Sequence, residues 1–263
     1  MPCPMCGGGE DFHLGINLRS LYGSCWRCGK HALFDVVKAL DAGIKWDDLK
    51  AIKDGLEVVP NTFDNKRRGR YKPPDGLGEL TERHAAYLQS RRIDTRADWF
   101  AAYGLRSISI LGGAYKYRIF LPVTLGRKDV SYTTRSTSST GQRYLSAAPA
   151  DESVRHKELL FAEDFVRDAI IVHEGPLDAL RVGPGATATF GTAFTKQQLH
   201  RVGRYPKRYV CFDAEPLAQR RAEKLADDLS VLPGKTWNVC LDAGDAGSAT
   251  ARDVARLRKL VGR

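Results

Sequence analysis

The sequence predicts an α+β protein of several domains, and three observations support this fold class. Two Cys-x-x-Cys pairs lie within the first 28 residues and are separated by a segment rich in β-forming residues. The middle of the chain combines helical and strand-like patterns. From Ala169 onward, short apolar runs alternate with helical segments, which indicates a compact domain built on a parallel sheet. At 263 residues, the chain is long enough to form two or more domains.

The N-terminal segment is expected to hold one structural Zn²⁺ ion. Its two Cys-x-x-Cys pairs are formed by Cys3, Cys6, Cys25 and Cys28. The 18 residues between the pairs fit a four-cysteine zinc site, and each short loop lets two thiolates reach one tetrahedral ion. Apolar residues alternate from Phe12 to Leu18, as on one face of a strand, so we predict a small β zinc ribbon. A pair of disulfides is the alternative, which a reducing cytoplasm disfavours. His13 and His31 are spare potential ligands that we expect at the surface.

Changes in composition divide the chain into four predicted regions. Residues 58–78 are rich in proline and turn formers, and they carry five basic residues between Lys66 and Lys72. We interpret this stretch as a linker, whose basic run either touches nucleic acid or is simply solvated. The zinc-binding domain then covers residues 1–57. A basic subdomain of mixed helices and strands covers residues 79–165, and an α/β domain covers residues 166–263.

The net charge of +10 favours a polyanionic partner such as nucleic acid. Residues 1–58 carry a net charge of −1, residues 59–165 carry +6 and residues 166–263 carry +5. No apolar run approaches the roughly 18 residues that a membrane span requires, so no membrane association is expected. The N-terminus also lacks the charged and apolar regions of a secretory signal, and we therefore expect a cytoplasmic protein.

Acidic residues recur where the apolar runs of the C-terminal domain end. Glu174 follows the strand-like run that begins at Ile170, and Asp178 lies one turn into the helix expected after Gly175-Pro176. Two later runs end in Asp213-Ala-Glu215 and in Asp242-Ala-Gly-Asp245. Because ligands of open parallel sheets bind at the carboxyl ends of the strands, these acids predict a divalent metal site. Helix caps could explain any one of these acids but not their repeated placement. The helix that follows Thr195 is expected to use that residue as its cap.

Taken together, these segments resemble the DnaG-type primases of bacteria and their phages. The resemblance follows the chain in order and covers nearly all of it. After the cysteine pairs it includes Tyr87-Leu-x-x-Arg-x-Ile93, Arg118-Ile-Phe-Leu-Pro-Val, Arg143-Tyr-Leu-Ser and Lys157-Glu-Leu-Leu-Phe. It continues with Glu174-Gly-Pro-Leu-Asp-Ala, Gly191-Thr-Ala-Phe-Thr, Phe212-Asp-Ala-Glu and Asp242-Ala-Gly-Asp. These last four are similar to the motifs of the Toprim domain, which topoisomerases and some nucleases share.

The resemblance implies an enzyme that makes short RNA primers by metal-dependent nucleotidyl transfer. It implies a catalytic role for Glu174, Asp178, Asp213 and Glu215. It implies that the acids holding two Mg²⁺ or Mn²⁺ ions are Glu174, Asp178, Asp213, Glu215 and Asp242, with Asp245 as an alternative to Asp242. Nucleotide and template phosphates would be bound by Arg118, Arg135, Arg143 and Lys157. The sequence departs from the family pattern where Asp-x-Asp becomes Asp213-Ala-Glu215 and where a common lysine is replaced by Arg143.

The implied partners are a single-stranded DNA template, ribonucleoside triphosphates and a separate replicative helicase. The sequence ends one helix after the last acidic motif, so the chain is expected to be either a stand-alone primase or part of a longer protein, with the helicase as a separate partner. The resemblance implies a phage-type enzyme, which would work in the cytoplasm of a bacterial host. Two alternatives remain: a non-catalytic recombination mediator of the RecR type, and a Toprim nuclease. RecR-type proteins typically have more closely spaced cysteines and lack a segment like that from Arg118 to Lys157.

Overall fold

The computed structural model describes residues 2–7, 14–17, 22–43, 45, 69–241 and 244–262. The chain divides into two units, residues 1–66 and residues 67–263. His13, about half of the predicted linker and Asp242 lie outside the described residues. The boundaries of the four regions proposed from the sequence stay a prediction. Within the described ranges, no helix combines the length and the apolar character needed to cross a membrane.

The N-terminal unit is a small antiparallel sheet followed by a helix. Its strands are β1 (Leu14–Asn17), β2 (Tyr22–Cys25) and β3 (Gly29–Ala32), paired in the order β1-β2-β3, and helix α1 spans Leu33–Leu40. Val36 of α1 packs on Leu14, and two of the cysteines complete this core. A Cβ on Gly23 would lie 3.1 Å from Val36 Cγ2, so the close approach of α1 to β2 depends on a glycine there.

The second unit contains an antiparallel sheet of five strands. Its strands are β4 (Leu77–Gly78), β5 (Arg106–Ile108), β6 (Arg118–Leu125), β7 (Lys128–Ser136) and β8 (Tyr144–Ser146), in sequential order. Helix α2 (Glu82–Ser90) begins after Thr81, whose hydroxyl accepts a hydrogen bond from the His84 N–H. The β6–β7 hairpin turns at Gly126 and Arg127, both at positive φ. The carboxylate of Asp164 accepts both of their N–H groups and so stabilises this turn.

The same unit contains a parallel sheet of four strands with helices on both faces. The strands are β9 (Ala169–His173), β10 (Ala186–Ala188), β11 (Lys207–Val210) and β12 (Lys235–Asn238), in the order β10-β9-β11-β12. The helices are α3 (Pro176–Val182), α4 (Lys196–Val202), α5 (Pro216–Ser230) and α6 (Ala251–Leu260). Every residue of β9 is buried, as expected for a central strand covered on both faces.

The side chains of β9 alternate between two apolar cores. Ile171 packs with Leu180 of α3 and Leu257 of α6. Ile170 and Val172 face the opposite way and pack with residues of α4 and α5. The first of these cores also contains residues of α2 and β6 from the antiparallel sheet. The two sheets therefore share one hydrophobic core, which fixes the position of the antiparallel sheet beside the parallel one.

One cation, Arg208, is completely buried in the parallel sheet. Its guanidinium donates to Thr236 Oγ1 at 2.9 Å and to the carbonyls of Gly203 and Leu232 at 3.2 Å each. Burial lowers the pKa of Arg208. These contacts connect β11 to β12 and to the main chain at Gly203 and Leu232. The hydrogen bonds offset part of the free-energy cost of burying the charge.

Candidate functional site

Two acids lie next to each other because their strands are neighbours in the parallel sheet. Glu174 directly follows β9, and Asp213 lies three residues after the end of β11. The Asp213 N–H donates to Glu174 Oε1 at 3.1 Å. Gln219 of α5 donates to the Asp213 carbonyl at 2.9 Å and helps to hold the second strand end. The sheet thus brings together two carboxylates that are distant in sequence.

Asp178 enters the same site from the first turn of α3. Gly175 is the cap residue of α3 and Pro176 begins the helix, which is a favourable start because proline has no N–H to leave unpaired. A Cβ on Gly175 would lie 2.7 Å from Asp178 Oδ2. Glycine is therefore required at this position if the Asp178 carboxylate is to turn back towards the strand end.

A fourth acid, Asp245, and an arginine complete this part of the site around Gly247. A Cβ on Gly247 would lie 3.1 Å from Arg91 Nη2, 3.2 Å from Asp178 Oδ1 and 3.5 Å from Asp245 Oδ1. The same Asp245 oxygen accepts hydrogen bonds from the Ser248 N–H and hydroxyl, both at 2.5 Å. Gly247 is therefore surrounded by three charged side chains. Arg91 follows α2, Asp178 belongs to α3 and Asp245 lies in the segment before α6.

The pKa values of the acids are raised because the carboxylates are close together and partly removed from water. Burial and then the Asp213 carboxylate raise the pKa of Glu174 to about 7, against the opposing hydrogen bond from the Asp213 N–H. Burial and then Asp213 and Asp245 raise the pKa of Asp178 to about 7, although Arg91 opposes this. Burial, Asp245 and Glu215 raise the pKa of Asp213 to about 6. A divalent cation would relieve the repulsion, and carboxylate oxygens are the ligands that Mg²⁺ and Mn²⁺ prefer.

The acids form one wall of an open cleft of about 330 Å³, and the antiparallel sheet supplies the facing wall. Arg135 and Arg143 line that wall together with Tyr144. The Arg135 guanidinium lies 4.9 Å from the centre of the Tyr144 ring, and its Nε donates to the Tyr87 hydroxyl at 2.9 Å. The Tyr144 hydroxyl accepts the Leu177 N–H at 3.4 Å and thereby joins β8 to α3. Cations thus face acids across the cleft.

The structure brings together many of the site residues proposed from the sequence, but not all of them. Those that line the cleft are Glu174, Asp178, Asp213, Asp245, Arg135 and Arg143. Glu215 precedes α5 and lines an adjoining hollow that it shares with Asp213 and Asp245. Asp242 lies outside the described residues.

Arg118 and Lys157 are not among the residues that line the cleft, and both donate to the main chain behind it. Arg118 Nη2 donates to the carbonyls of Gln142 and Arg143 at 2.7 and 3.0 Å. Lys157 Nζ donates to the carbonyls of Thr189, Phe190 and Ala193 at 2.8, 3.3 and 2.8 Å. These contacts fix segments that carry cleft residues, whereas the phosphate-binding role of the two cations stays a prediction.

Sequence reasoning assigned no role to three further cleft or near-cleft residues. Arg91 lies within the Tyr87–Ile93 motif, so its position in that motif was an available signal. His156 lines the cleft and contacts Glu152, with 3.1 Å between Nδ1 and Oε2. Arg221 of α5 donates to Thr192 Oγ1 at 2.5 Å, and its charge lowers the pKa of Glu174. Neither His156 nor Arg221 belongs to a local pattern that would have identified it.

The N-terminal unit contains a separate candidate metal site. The sulfurs of Cys3, Cys6, Cys25 and Cys28 all lie within 4.8 Å of one another. The Cys3–Cys28 and Cys6–Cys25 sulfur distances are 3.6 and 4.0 Å, longer than the roughly 2.05 Å of a disulfide bond, which argues against the disulfide alternative. A tetrahedral zinc ion with bonds of about 2.3 Å would place its sulfurs about 3.8 Å apart.

The environment of these sulfurs also suits a cation. Burial opposes ionisation of Cys25, but the N–H groups of Cys28 and Arg27 lower the pKa of its thiol to about 6. His31 Nε2 lies 3.0 Å from Cys28 Sγ. The four-cysteine cluster could therefore bind zinc, with His31 in contact with one of the ligands rather than remote from the site.

The fold is that of the DnaG-type primase catalytic core. A solved structure of the DnaG catalytic core is 14% identical, with a TM-score of 0.56 over 69% of this chain and 74% of that one. The Aquifex aeolicus primase, comprising zinc-binding and RNA polymerase domains, is 16% identical, with a TM-score of 0.56 over 97% of this chain and 76% of that one. The primase fragment of the bacteriophage T7 primase-helicase is 14% identical, with a TM-score of 0.50 over 97% and 96% of the two chains. No protein-family model matches the sequence, and the comparison with curated proteins finds no relative.

Proposed function

We propose that this protein is a DNA primase that joins ribonucleoside triphosphates on a single-stranded DNA template. The observation that carries the proposal is the cleft itself, in which Glu174, Asp178 and Asp213 face Arg135 and Arg143. A nucleotidyl-transfer site needs carboxylates to hold divalent cations and fixed positive charges to hold phosphates. Both requirements are met within one cleft, on a fold that solved primases share.

The acidic wall is proposed to be the Toprim-like metal site. Bound Mg²⁺ or Mn²⁺ would supply Lewis-acid activation of the attacking hydroxyl and neutralise charge on the leaving pyrophosphate. Glu174 and Asp213 are the central ligands in this proposal, because a hydrogen bond fixes one against the main chain of the other. In the same proposal, Asp178 and Asp245 supply further carboxylate ligands for the metal ions, on the side of the site near Arg91.

The facing wall is proposed to bind and orient the phosphates. Arg135 is held between two tyrosine rings, with its guanidinium 4.9 and 5.9 Å from the ring centres. A guanidinium held in this way loses little side-chain entropy when it binds a phosphate, because its orientation is already fixed. Arg143 lies beside it on the same wall, and the bonds from Arg118 fix the main chain at Arg143.

The four-cysteine cluster is proposed to hold one structural zinc ion. The N-terminal unit has a very small core, so metal binding would contribute much of its folding free energy. The structure of the Aquifex primase likewise comprises zinc-binding and RNA polymerase domains. In this proposal the N-terminal unit helps to select the template site at which synthesis starts.

The test is primer synthesis with labelled ribonucleotides, single-stranded DNA and Mg²⁺. We expect the wild-type chain to make short RNA. We expect Glu174→Gln and Asp213→Asn to reduce synthesis by at least about a thousandfold, because each removes a charge at which divalent cations would bind. Asp227→Asn is the matched control, since Asp227 is exposed on α5 and should leave activity unchanged.

The same incubation separates the alternative functions. Cleavage of the DNA without RNA synthesis would indicate a Toprim nuclease. Binding of DNA with neither product would indicate a non-catalytic mediator. Normal dinucleotide synthesis by Glu174→Gln, with native circular dichroism, would contradict the assignment of the site.

A further inference from the structure

Arginine side chains lead away from the cleft on the face of the parallel sheet that α3 and α6 cover. Arg92 directly follows the cleft residue Arg91, and its Nη1 donates to the carbonyls of Ser248 and Ala249 at 3.2 Å each. Arg181, in the last turn of α3, donates in turn to the Arg92 carbonyl. The main chain thus fixes two guanidiniums in succession, starting from the rim of the cleft.

A third guanidinium continues this series. Arg258, in the last turn of α6, donates from Nε to the Val182 carbonyl at 2.7 Å and from Nη2 to the Arg181 carbonyl at 3.3 Å. We refer to Arg92, Arg181 and Arg258 as the arginine cluster. A guanidinium has five N–H donors, so main-chain bonds to one or two nitrogens leave others able to bind an anion.

The charge of the arginine cluster is not compensated by acids in the described part of the chain. Each hydrogen bond of its members goes to a neutral carbonyl, and none of the ion pairs among the described residues involves them. Burial and then the charges of Arg258 and Arg92 lower the pKa of Arg181. Its Nε is also buried without a hydrogen-bond partner among the residues described. The repulsion between these like charges raises the free energy of the folded protein, and a bound anion would remove this repulsion.

Helix α6 carries further positive charge on a second face. Arg252, Arg256 and Lys259 share this face, turned by about 100° or more from Arg258, and the helix has one acid, Asp253. Its ten residues span about 15 Å, which is longer than a single nucleotide bound in the cleft could cover. The shape and sign of this surface therefore fit an extended polyanion better than a free nucleotide.

We propose that the arginine cluster binds the phosphate backbone of the single-stranded DNA template where that strand leaves the cleft. The inference rests on the proposed function for the identity of the strand. None of the three arginines lines the cleft, so a nucleotide bound there would not contact them. A strand that passes through the cleft would meet Arg92 first, because Arg92 is adjacent to the lining residue Arg91.

The test measures binding of a labelled oligothymidylate to the full chain over a range of salt concentrations. For single strands, the salt slope falls by about 0.7 for each phosphate contact that is lost. We expect the triple variant Arg92→Gln/Arg181→Gln/Arg258→Gln to lower the slope by about 2, and to weaken binding about 5-fold per contact at 0.1 M salt. Glutamine retains an N–H donor for the main-chain carbonyls and loses the charge.

Two further variants allow a conclusion even if the triple variant does not fold. Arg92→Gln alone changes an exposed residue, should fold normally, and should lower the slope by about 0.7. Arg220→Gln is the matched control, because Arg220 is exposed on α5, at the opposite face of the sheet, and should leave the slope unchanged. A folded triple variant with the wild-type slope would overturn the proposal. The proposal would also be overturned if the triple variant lost affinity for ATP to the same extent as for DNA. Tight binding of polyglutamate to the wild-type chain, with an unchanged DNA affinity in the triple variant, would overturn it as well.

Failure of this proposal can be told apart from failure of the proposed function. The salt slope is measured without catalysis, so it reports on the arginine cluster even if the wild-type chain makes no RNA. Relative to the wild-type chain, the Arg92→Gln variant should lose more dinucleotide synthesis on a template with a long thymidine extension than on a template too short to extend beyond the cleft. An equal loss on both templates would contradict the proposed role of Arg92.

Discussion

Replacing Asp178 with asparagine should stabilise the metal-free protein at about pH 8. Burial, followed by the charges of Asp213 and Asp245, raises the pKa of Asp178 from 3.8 to about 7. A tenfold change in an acid dissociation constant corresponds to about 1.4 kcal/mol, so this rise in the pKa sets an upper limit of about 4 kcal/mol on the gain. The cleft gives this side chain some access to water, which screens the repulsion, and we expect a gain of about 2 kcal/mol.

The pH dependence of this gain follows from the direction in which the pKa moves. A carboxyl whose pKa is raised on folding binds more protons in the folded state than in the unfolded state between about pH 4 and pH 7. Its favourable contribution is complete below the unfolded pKa and is lost as the pH rises through about 7. Because asparagine does not ionise, the advantage of Asp178→Asn should be full above about pH 7 and should disappear towards pH 4.

The assay is urea unfolding in the presence of a metal chelator at several pH values. Asp227→Asn serves as the control, because Asp227 is exposed and lies outside the acidic cleft. Added Mg²⁺ should then stabilise the wild-type chain more than the variant, since the variant lacks one candidate ligand. An Asp178→Asn protein with native circular dichroism but no greater stability than wild type at about pH 8 would refute the reasoning.

Three further changes test other parts of the structure. Gly175→Ala should reduce primer synthesis by about a hundredfold with little change in melting temperature, because its Cβ would lie 2.7 Å from Asp178 Oδ2 and displace that carboxylate. Arg208→Met should lower the free energy of unfolding by about 3 kcal/mol in urea titrations, because it leaves three partly buried acceptors unpaired. Cys25→Ser should reduce the zinc content below one ion per chain, measured by metal analysis, while the zinc content of Cys240→Ser should equal that of wild type.

Local patterns in the sequence were sufficient to locate most elements of the C-terminal part. The alternation of apolar runs and helical segments placed β9, and the prediction that Thr195 caps α4 is confirmed by its hydrogen bond from the Gln198 N–H. The carboxyl ends of adjacent parallel strands lie at one edge of the sheet, so the position of Glu174 beside Asp213 could also be predicted. These inferences needed only the strand boundaries and the direction of the strands.

Contacts between distant segments could not be predicted in the same way. The family resemblance assigned phosphate binding to Arg118 and Lys157, but it could not show that both donate to main-chain carbonyls. Likewise, the motif that contains Arg91 marks it as a candidate site residue but does not indicate that it would lie near Asp178, which is on a different helix. Such contacts depend on how the antiparallel sheet packs on the parallel one, and one sequence does not determine that packing by inspection.

The hydrophobic core that the two sheets share has a consequence for how substrates would enter. Residues of β6 and α2 pack with residues of β9 and α3 in one continuous apolar cluster. Opening the cleft by hinge bending would separate these surfaces and expose them to water, at a cost of about 25 cal/mol for each Å². The template DNA and the nucleotides are therefore expected to enter a cleft that is already formed. The distance between its two walls should be the same before and after each nucleotide is added.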